Sequence, residues 1–229
     1  MAAVSGAAPS LPEPHEEVRT VDGRRPGRRG RATRERLLRC TADLLQRTSF
    51  RDLTVIDIAR CAGTSPATFY QYFPDVQAAV LVLAREMAEE GKQVTALIAR
   101  SDWRGKAGHL AALALVDSIL GLWERHRAVL RVVDLSTAEG DLRFQNIRTR
   151  LLNEVTNELR DVIQAFKAQG RLGAEIDPMA QAAALVSMLV HVAAHRYGYE
   201  FWGIRTEDVR RSVAGLIHNG VTGRRAASV

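Results

Sequence analysis

Cysteine is scarce in this chain: Cys40 and Cys61 are the only two among 229 residues. A disulfide framework is thereby excluded, and the apolar helical setting of both positions predicts reduced core thiols rather than a bridge. Long hydrophobic runs are also missing. The most apolar stretch, residues 182–194, falls short of the roughly 20 residues a membrane span needs, and it carries Ser187 and His191. No transmembrane helix and no membrane partner are expected. The first 17 residues have neither a basic start nor a continuous apolar core, so no secretory signal is read and the expected location is the cytoplasm. From Ser101 onward period-two alternation and hairpin turns are absent, which argues against a sheet there. No phosphate loop, G-x-S-x-G elbow or nucleophile beside a base is present, so an enzyme is not expected. His191 and His195 stand four apart, a spacing at which two imidazoles can share a metal. No third ligand accompanies them, so interface or pocket histidines are expected, with no metal and no cofactor.

What remains is an ordinary globular composition, 46% apolar and 25% charged, with an uneven charge distribution. Residues 23–73 hold eleven arginines against Glu35, Asp43, Asp52 and Asp57, a balance of +7, whereas residues 1–22 carry −3 and the remainder +2. Nearly all the positive excess therefore lies in one N-terminal segment, as a phosphate-facing surface requires.

Within that segment, residues 53–73 read as two short helices joined by a tight turn. Val55, Ile58 and Ala59 recur at helical spacing after a possible Thr54 cap, and Gly63 marks the corner. Thr64, Ser65 and Pro66 then offer a hydroxyl cap followed by proline at the first helical position, with Thr64 read as the cap. Phe69 and Phe73 fall on one face of the second helix and need a core to lean on. Ser65, Ala67, Thr68, Tyr70, Gln71 and Tyr72 are left facing outward. Such an arrangement fits a helix-turn-helix whose second helix enters the DNA major groove. A first helix over residues 33–47, capped by Thr33, should brace it. Upstream, Arg24, Arg25, Arg28, Arg29 and Arg31 are spaced by glycine and proline, an extended arm suited to a minor groove.

The run A-G-T-S-P-A-T-F-Y-Q-Y-F-P-D, residues 62–75, resembles the recognition region of TetR/AcrR-type transcriptional repressors. The close resemblance covers roughly residues 31–83, and beyond them only the layout matches. It implies an all-α chain: a three-helix DNA-binding domain followed by a helical ligand-binding and dimerisation domain. It also implies that Ser65, Thr68, Tyr70 and Tyr72 contact phosphates, with Thr64 at the helix cap; Thr54 is counted with them among the DNA-binding residues. Ala67, Thr68 and Gln71 would touch base edges. Many members carry a lysine just after the cap of the linker helix; here that position is Val76, so backbone grip must come from elsewhere, such as the arginine arm. The expected domains are a disordered tail and arm (1–30), the helix-turn-helix domain (31–75), the ligand and dimer domain (76–222) and a flexible tail (223–229).

Asp75 caps a long helix to about Arg100, the element through which the family is thought to transmit induction. Helices follow over residues 106–124, 127–137, 142–169, 178–199 and 207–219. By the same resemblance a pocket for a small hydrophobic effector lies among them, lined by Leu120, Trp123, Leu130, Phe144, Ile147, Leu151 and Met188, with Gln145, Asn146 and Asn153 as polar contacts. A fatty acyl chain or acyl-CoA is the expected effector class, because no acidic cluster suits a cation. Leu185, Leu189 and Val192 with Val213, Leu216 and Ile217 give the last two helices apolar stripes for a homodimer on a palindromic operator. The competing readings are an architectural DNA-binding protein without an effector, and a helical small-molecule binder that has lost its affinity for DNA.

Overall fold

The computed structural model describes Val21 and residues 25–223; Arg24, most of the predicted N-terminal tail and residues 224–229 lie outside the described residues. Among the described residues the regular structure is eight helices and no strand: α1 Arg28–Leu45, α2 Val55–Cys61, α3 Pro66–Tyr72, α4 Val76–Arg100, α5 Gly105–Ala138, α6 Leu142–Ala168, α7 Pro178–Phe201 and α8 Thr206–Thr222. The all-α expectation holds, and α4 has its expected limits. The chain divides into two compact units, Met1–Val82 and Leu83–Val229. The division falls two turns inside α4 rather than at its start, because residues 76–82 group with the N-terminal unit.

In the N-terminal unit α1 packs on α2 and α3. Leu37, Leu38, Leu45, Leu53, Ile58, Ala59, Phe69 and Phe73 are buried there, the apolar positions that helical spacing assigns inward. Two expectations need correction. The first helix begins at Arg28, with Gly27 at its N-cap and no side-chain cap. Thr33 is one turn inside it, its hydroxyl donating to the Arg29 carbonyl at 3.1 Å. Arg28, Arg29 and Arg31 are therefore helical rather than part of an extended arm; arginine favours helix, and the single Gly30 costs only about 1 kcal/mol there. The second correction concerns the cysteines. Cys40 on α1 and Cys61 at the end of α2 are bonded, with their Cα atoms 5.8 Å apart, inside the range a bridge requires. Cys40 is buried but Cys61 is exposed, so they are not two separate core thiols. The packing of α1 on α2 brings them together, which an unpaired reading of each helix does not see.

The second unit is a bundle in which α5 packs on α6, α7 and α8, and α6 on α7. The break expected between helices over 106–124 and 127–137 is present: α5 consists of two helical segments that meet in a kink at His126, whose φ of −111° and ψ of 15° leave the helical region. Phe144, Leu115, Leu122, Leu159, Ile163 and Leu189 fill the centre of the unit. Arg210 of α8 forms a two-pronged pair with Asp117 of α5, its Nη2 donating to Oδ2 at 2.6 Å. By length and composition alone α5 and α7 would be apolar enough to cross a membrane, more than the sequence reading allowed. Their apolar faces lie against one another and against α6 and α8.

Titrating the unfolded, air-oxidised chain should detect neither thiol, and two after reduction. Two thiols reacting without reductant would mean the cysteines are packed but not bonded. Replacing both by serine should lower stability by about 3 kcal/mol in a denaturant melt, the entropy expected for a loop of this size.

Candidate nucleic-acid interface

The reading helix α3 has seven residues, too few to hold itself together. Three local devices position it. At the corner, Gly63 has φ of 62°, a left-handed conformation that costs other residues about 1–2 kcal/mol. Ser65, not Thr64, is the N-cap: its hydroxyl oxygen accepts from the Thr68 amide at 3.2 Å and lies 3.0 Å from the Thr68 hydroxyl. Thr64 sits one residue earlier, its amide donating to the Ala59 carbonyl at 2.9 Å, because Pro66 must occupy the first helical position. On the inner face Phe69 and Phe73 are fully buried, their ring centroids 5.4 Å apart.

Outward from that anchor, Ser65, Ala67, Tyr70 and Gln71 are exposed, while Thr68 and Tyr72 are half-buried. Tyr70 is held edge-on to Phe69, centroid to centroid 5.8 Å, which stiffens a side chain otherwise half in solvent. Thr54 caps α2, accepting from the Asp57 amide at 3.2 Å. Its hydroxyl donates to the Asp57 carboxylate at 2.5 Å, so it serves the cap first. At the start of α4 the Asp75 carboxylate accepts from the Ala78 amide at 2.6 Å, with Val76 beside it where a lysine would offer charge.

Residues that the sequence reading missed tie the basic helix to this surface. Arg36 on α1 donates from Nε to the Ala62 carbonyl at 3.0 Å, holding the turn. The Arg34 guanidinium lies 5.4 Å from the Phe73 ring centroid. Upstream, the Val21 amide donates to the Gln71 carbonyl at 2.9 Å. A Cβ on Gly30 would meet the Tyr72 hydroxyl at 3.2 Å, so the start of α1 runs directly along the reading helix. No spacing rule announces these long-range pairs. Arg25, Arg28, Arg29 and Arg31 occur in this neighbourhood, exposed, within or just before the first turn of α1.

In the second unit a small cavity of about 10 Å³ is lined by Met87, Trp123, Leu130, Val133, Asp134, Arg148, Leu151, Leu152 and Val190. Trp123, Leu130 and Leu151 are the predicted pocket residues found in its wall. Leu120, Phe144 and Ile147 are buried in the surrounding core, and Met188 is half-buried outside the lining. Gln145 and Asn153 are exposed and Asn146 half-buried, none in the wall, because those positions fall on the outer side of α6. Instead, the polar element is an ion pair, Arg148 Nε to Asp134 Oδ1 at 3.0 Å. One turn along α4 from Met87, Glu90 accepts from Arg125 Nε at 2.8 Å and lies 2.5 Å from His126 Nε2 at the α5 kink. The His126 hydrogen bond holds the Glu90 carboxyl below its usual range despite partial burial, with Arg125 adding to the effect.

A buried aromatic anchor, a capped short helix with an outward polar row and a basic helix beside it define a helix-turn-helix regulator of transcription. Known proteins agree. Residues 37–78 match the model of the bacterial regulatory proteins of the tetR family, and residues 94–228, more than half the chain, match the tetracyclin repressor-like C-terminal domain. The chain belongs to the TetR family of transcriptional regulators. It is 41% identical over 68 residues to the HTH-type transcriptional regulator EthR of Mycolicibacterium smegmatis, a match spanning 29% of this chain and 31% of that relative. Among solved structures, the fatty acid degradation regulator FadR of Bacillus halodurans superposes with a TM-score of 0.62 at 14% identity, covering 89% of this chain and 100% of its own. A TetR regulator from Haloarcula marismortui gives 0.64 at 16%, covering 83% and 98%. At such identities the two structures speak for the fold.

Gly63→Ala should destabilise the N-terminal unit by about 1–2 kcal/mol, since φ and not space is the obstacle. Ser65→Ala should cost about 1 kcal/mol through the lost cap. Chemical denaturation measures both, and a neutral Gly63→Ala would contradict the left-handed corner.

Proposed function

We propose that this regulator is a dimeric repressor that reads a palindromic operator with α3 and is modulated by a small apolar effector in its second unit. The observation that carries the reading is the outward row on α3, anchored by buried Phe69 and Phe73 beside the arginine-rich α1. In this reading Ser65, Tyr70 and Tyr72 hold phosphates, aided by Arg25, Arg28, Arg29 and Arg31 and, beyond the described residues, Arg24. Ala67, Thr68 and Gln71 face base edges, glutamine toward adenine and the small side chains toward a thymine methyl. One such helix spans too few base pairs to be specific alone, so two half-sites and two chains are required.

The dimer surface differs from the one that apolar spacing suggested. Leu189, Val192, Val213 and Ile217 are at most 9% exposed within a single chain, and Leu185 is half-buried, so they hold α7 and α8 in their own bundle. One line of residues that α7 leaves outward is Ala180, Ala184, Ser187, His191 and His195, between exposed Met179 and Phe201 near the helix ends; its mostly small side chains let another helix approach closely. Leu216 alone of the six remains 55% exposed, on α8. We assign the interface to this outward row and Leu216.

For the effector, the small cavity supports a ligand that opens its own site by displacing Trp123, Leu130 and Leu151 rather than one that enters a standing hollow. A fatty acyl chain fits a mainly apolar wall with one arginine–aspartate pair in it, and FadR of Bacillus halodurans, which shares the fold, is a fatty acid degradation regulator. The effector arm is tested by adding acyl-CoAs of graded length to the operator complex; no release and no tightening with any of them would remove it.

Selection from random duplexes, followed by titration at several salt concentrations, tests the DNA reading. Tyr70→Phe and Tyr72→Phe should weaken all sequences alike, whereas Gln71→Ala should relax preference at one position, at a cost of about 1–3 kcal/mol. An untouched sequence profile for Gln71→Ala would move the base contact elsewhere. Leu216→Glu should shift the chain toward monomer in sedimentation and weaken operator binding with it; a dimer unchanged by Leu216→Glu would place the interface on another face.

A further inference from the structure

His191 and His195 stand out on α7 for a reason the DNA reading does not use. Both are exposed, one helical turn apart at the C-terminal end of the outward row, with their rings stacked at a centroid distance of 4.3 Å and an interplanar angle of 14°. Their neighbours in sequence are engaged elsewhere. Arg196 pairs with Glu124 of α5 and lies 4.8 Å from the Tyr197 ring centroid, and the Tyr197 hydroxyl donates to the same Glu124 at 2.5 Å. The two imidazoles are thus parallel, solvent-facing and close, on a rigid helix. Two imidazoles at this spacing on one helical face form a chelate for a borderline divalent cation such as Zn²⁺, Cu²⁺ or Ni²⁺.

One chain supplies only half of a coordination shell. Among the described residues no group of three or more histidine, cysteine or carboxylate side chains converges. Around the pair, however, the row is built from Ala180, Ala184, Ser187 and Gly198, which keep the α7 backbone accessible to another helix. If α7 meets its own copy there, each chain brings the same two rings to the same place, because a two-fold interface is self-complementary.

We infer that His191 and His195 form a binding site for a divalent transition metal that is completed by the same two residues of a second copy, giving four imidazole nitrogens across the two-fold axis. This rests on the reading of α7 as the dimer surface. The metal would act as a staple: it binds the assembled dimer better than the free chain, so it strengthens self-association by mass action and, through it, operator binding.

The test uses the full, untagged chain, stripped with a chelator and then titrated with Zn²⁺ by calorimetry and by sedimentation in parallel. Expected is one Zn²⁺ per two chains, with the dimer dissociation constant falling by up to about a hundredfold when free Zn²⁺ reaches about 100 times its own dissociation constant. His191→Ala and His195→Ala should each abolish this response while leaving helical content unchanged; because both residues lie in the assigned interface, each variant is compared with its own metal-free state, and the readout is the ratio of its dimer dissociation constants without and with Zn²⁺. No Zn²⁺ binding by a metal-free dimer overturns the site and leaves the repressor reading standing. One Zn²⁺ per chain with no change in self-association overturns the shared site, and if that chain is also monomeric it overturns the α7 interface with it. Zn²⁺ binding that survives the double substitution places the metal on other residues and equally overturns the proposal.

Discussion

Everything at the DNA surface depends on burying Phe69 and Phe73. A helix of seven residues has too few internal hydrogen bonds to offset the entropy of forming it, so the orientation of α3 is set by what its inner face touches. The two rings lie against each other at 5.4 Å and Phe69 is wholly inside. Tyr70 leans on Phe69, Arg34 on Phe73, and the Arg36 bond to the Ala62 carbonyl fixes the corner from outside. The outward row is therefore rigid because the inward pair is apolar, and the basic helix that supplies charge is the same helix that supplies the packing partner.

The second unit is organised around long helices and their interruptions. At the α5 kink a non-helical residue, His126, faces a carboxylate on α4 that two cationic or polar partners hold ionised. The cavity lies within one turn of this cluster on both helices, bounded by Met87 and Trp123. Any group larger than the cavity would have to displace side chains of α4 and α5, the two helices that the Glu90 cluster also joins. A bundle core packed this tightly has discrete rather than graded responses to an inserted group.

How much could be read in advance varies with how local the cause is. The helix-turn-helix, its glycine corner, the proline at the first turn of α3, the Asp75 cap and the limits of α4 follow from short-range stereochemistry and were legible. So was the break near residue 126, where the two helical segments of α5 meet at the non-helical His126. The start of α1 was missed by five residues: glycine, proline and arginine together look like an extended arm, yet α1 includes Gly30, whose side-chain position is closed off by Pro26 and the Tyr72 hydroxyl. The apolar stripes of α7 and α8 carry a related ambiguity. On an apolar helix in a bundle, large residues mark where it is buried, and Leu189 and Ile217 are buried by their own chain.

The amino-acid sequence by itself determined the class of the protein, its helices and the residues that face away from the N-terminal core, because these follow from periodicity of 3.6, from capping chemistry and from the clustering of arginine. Only the tertiary structure decided that Cys40 meets Cys61, that Arg36 braces the turn, that the predicted pocket residues divide between wall and core, and that α7 presents alanines and a stacked pair of histidines to the outside. Each of those is a meeting between residues distant along the chain, or a choice between two apolar faces of one helix. Both are settled by which surfaces exclude water together, a property of the assembled core rather than of any segment in it.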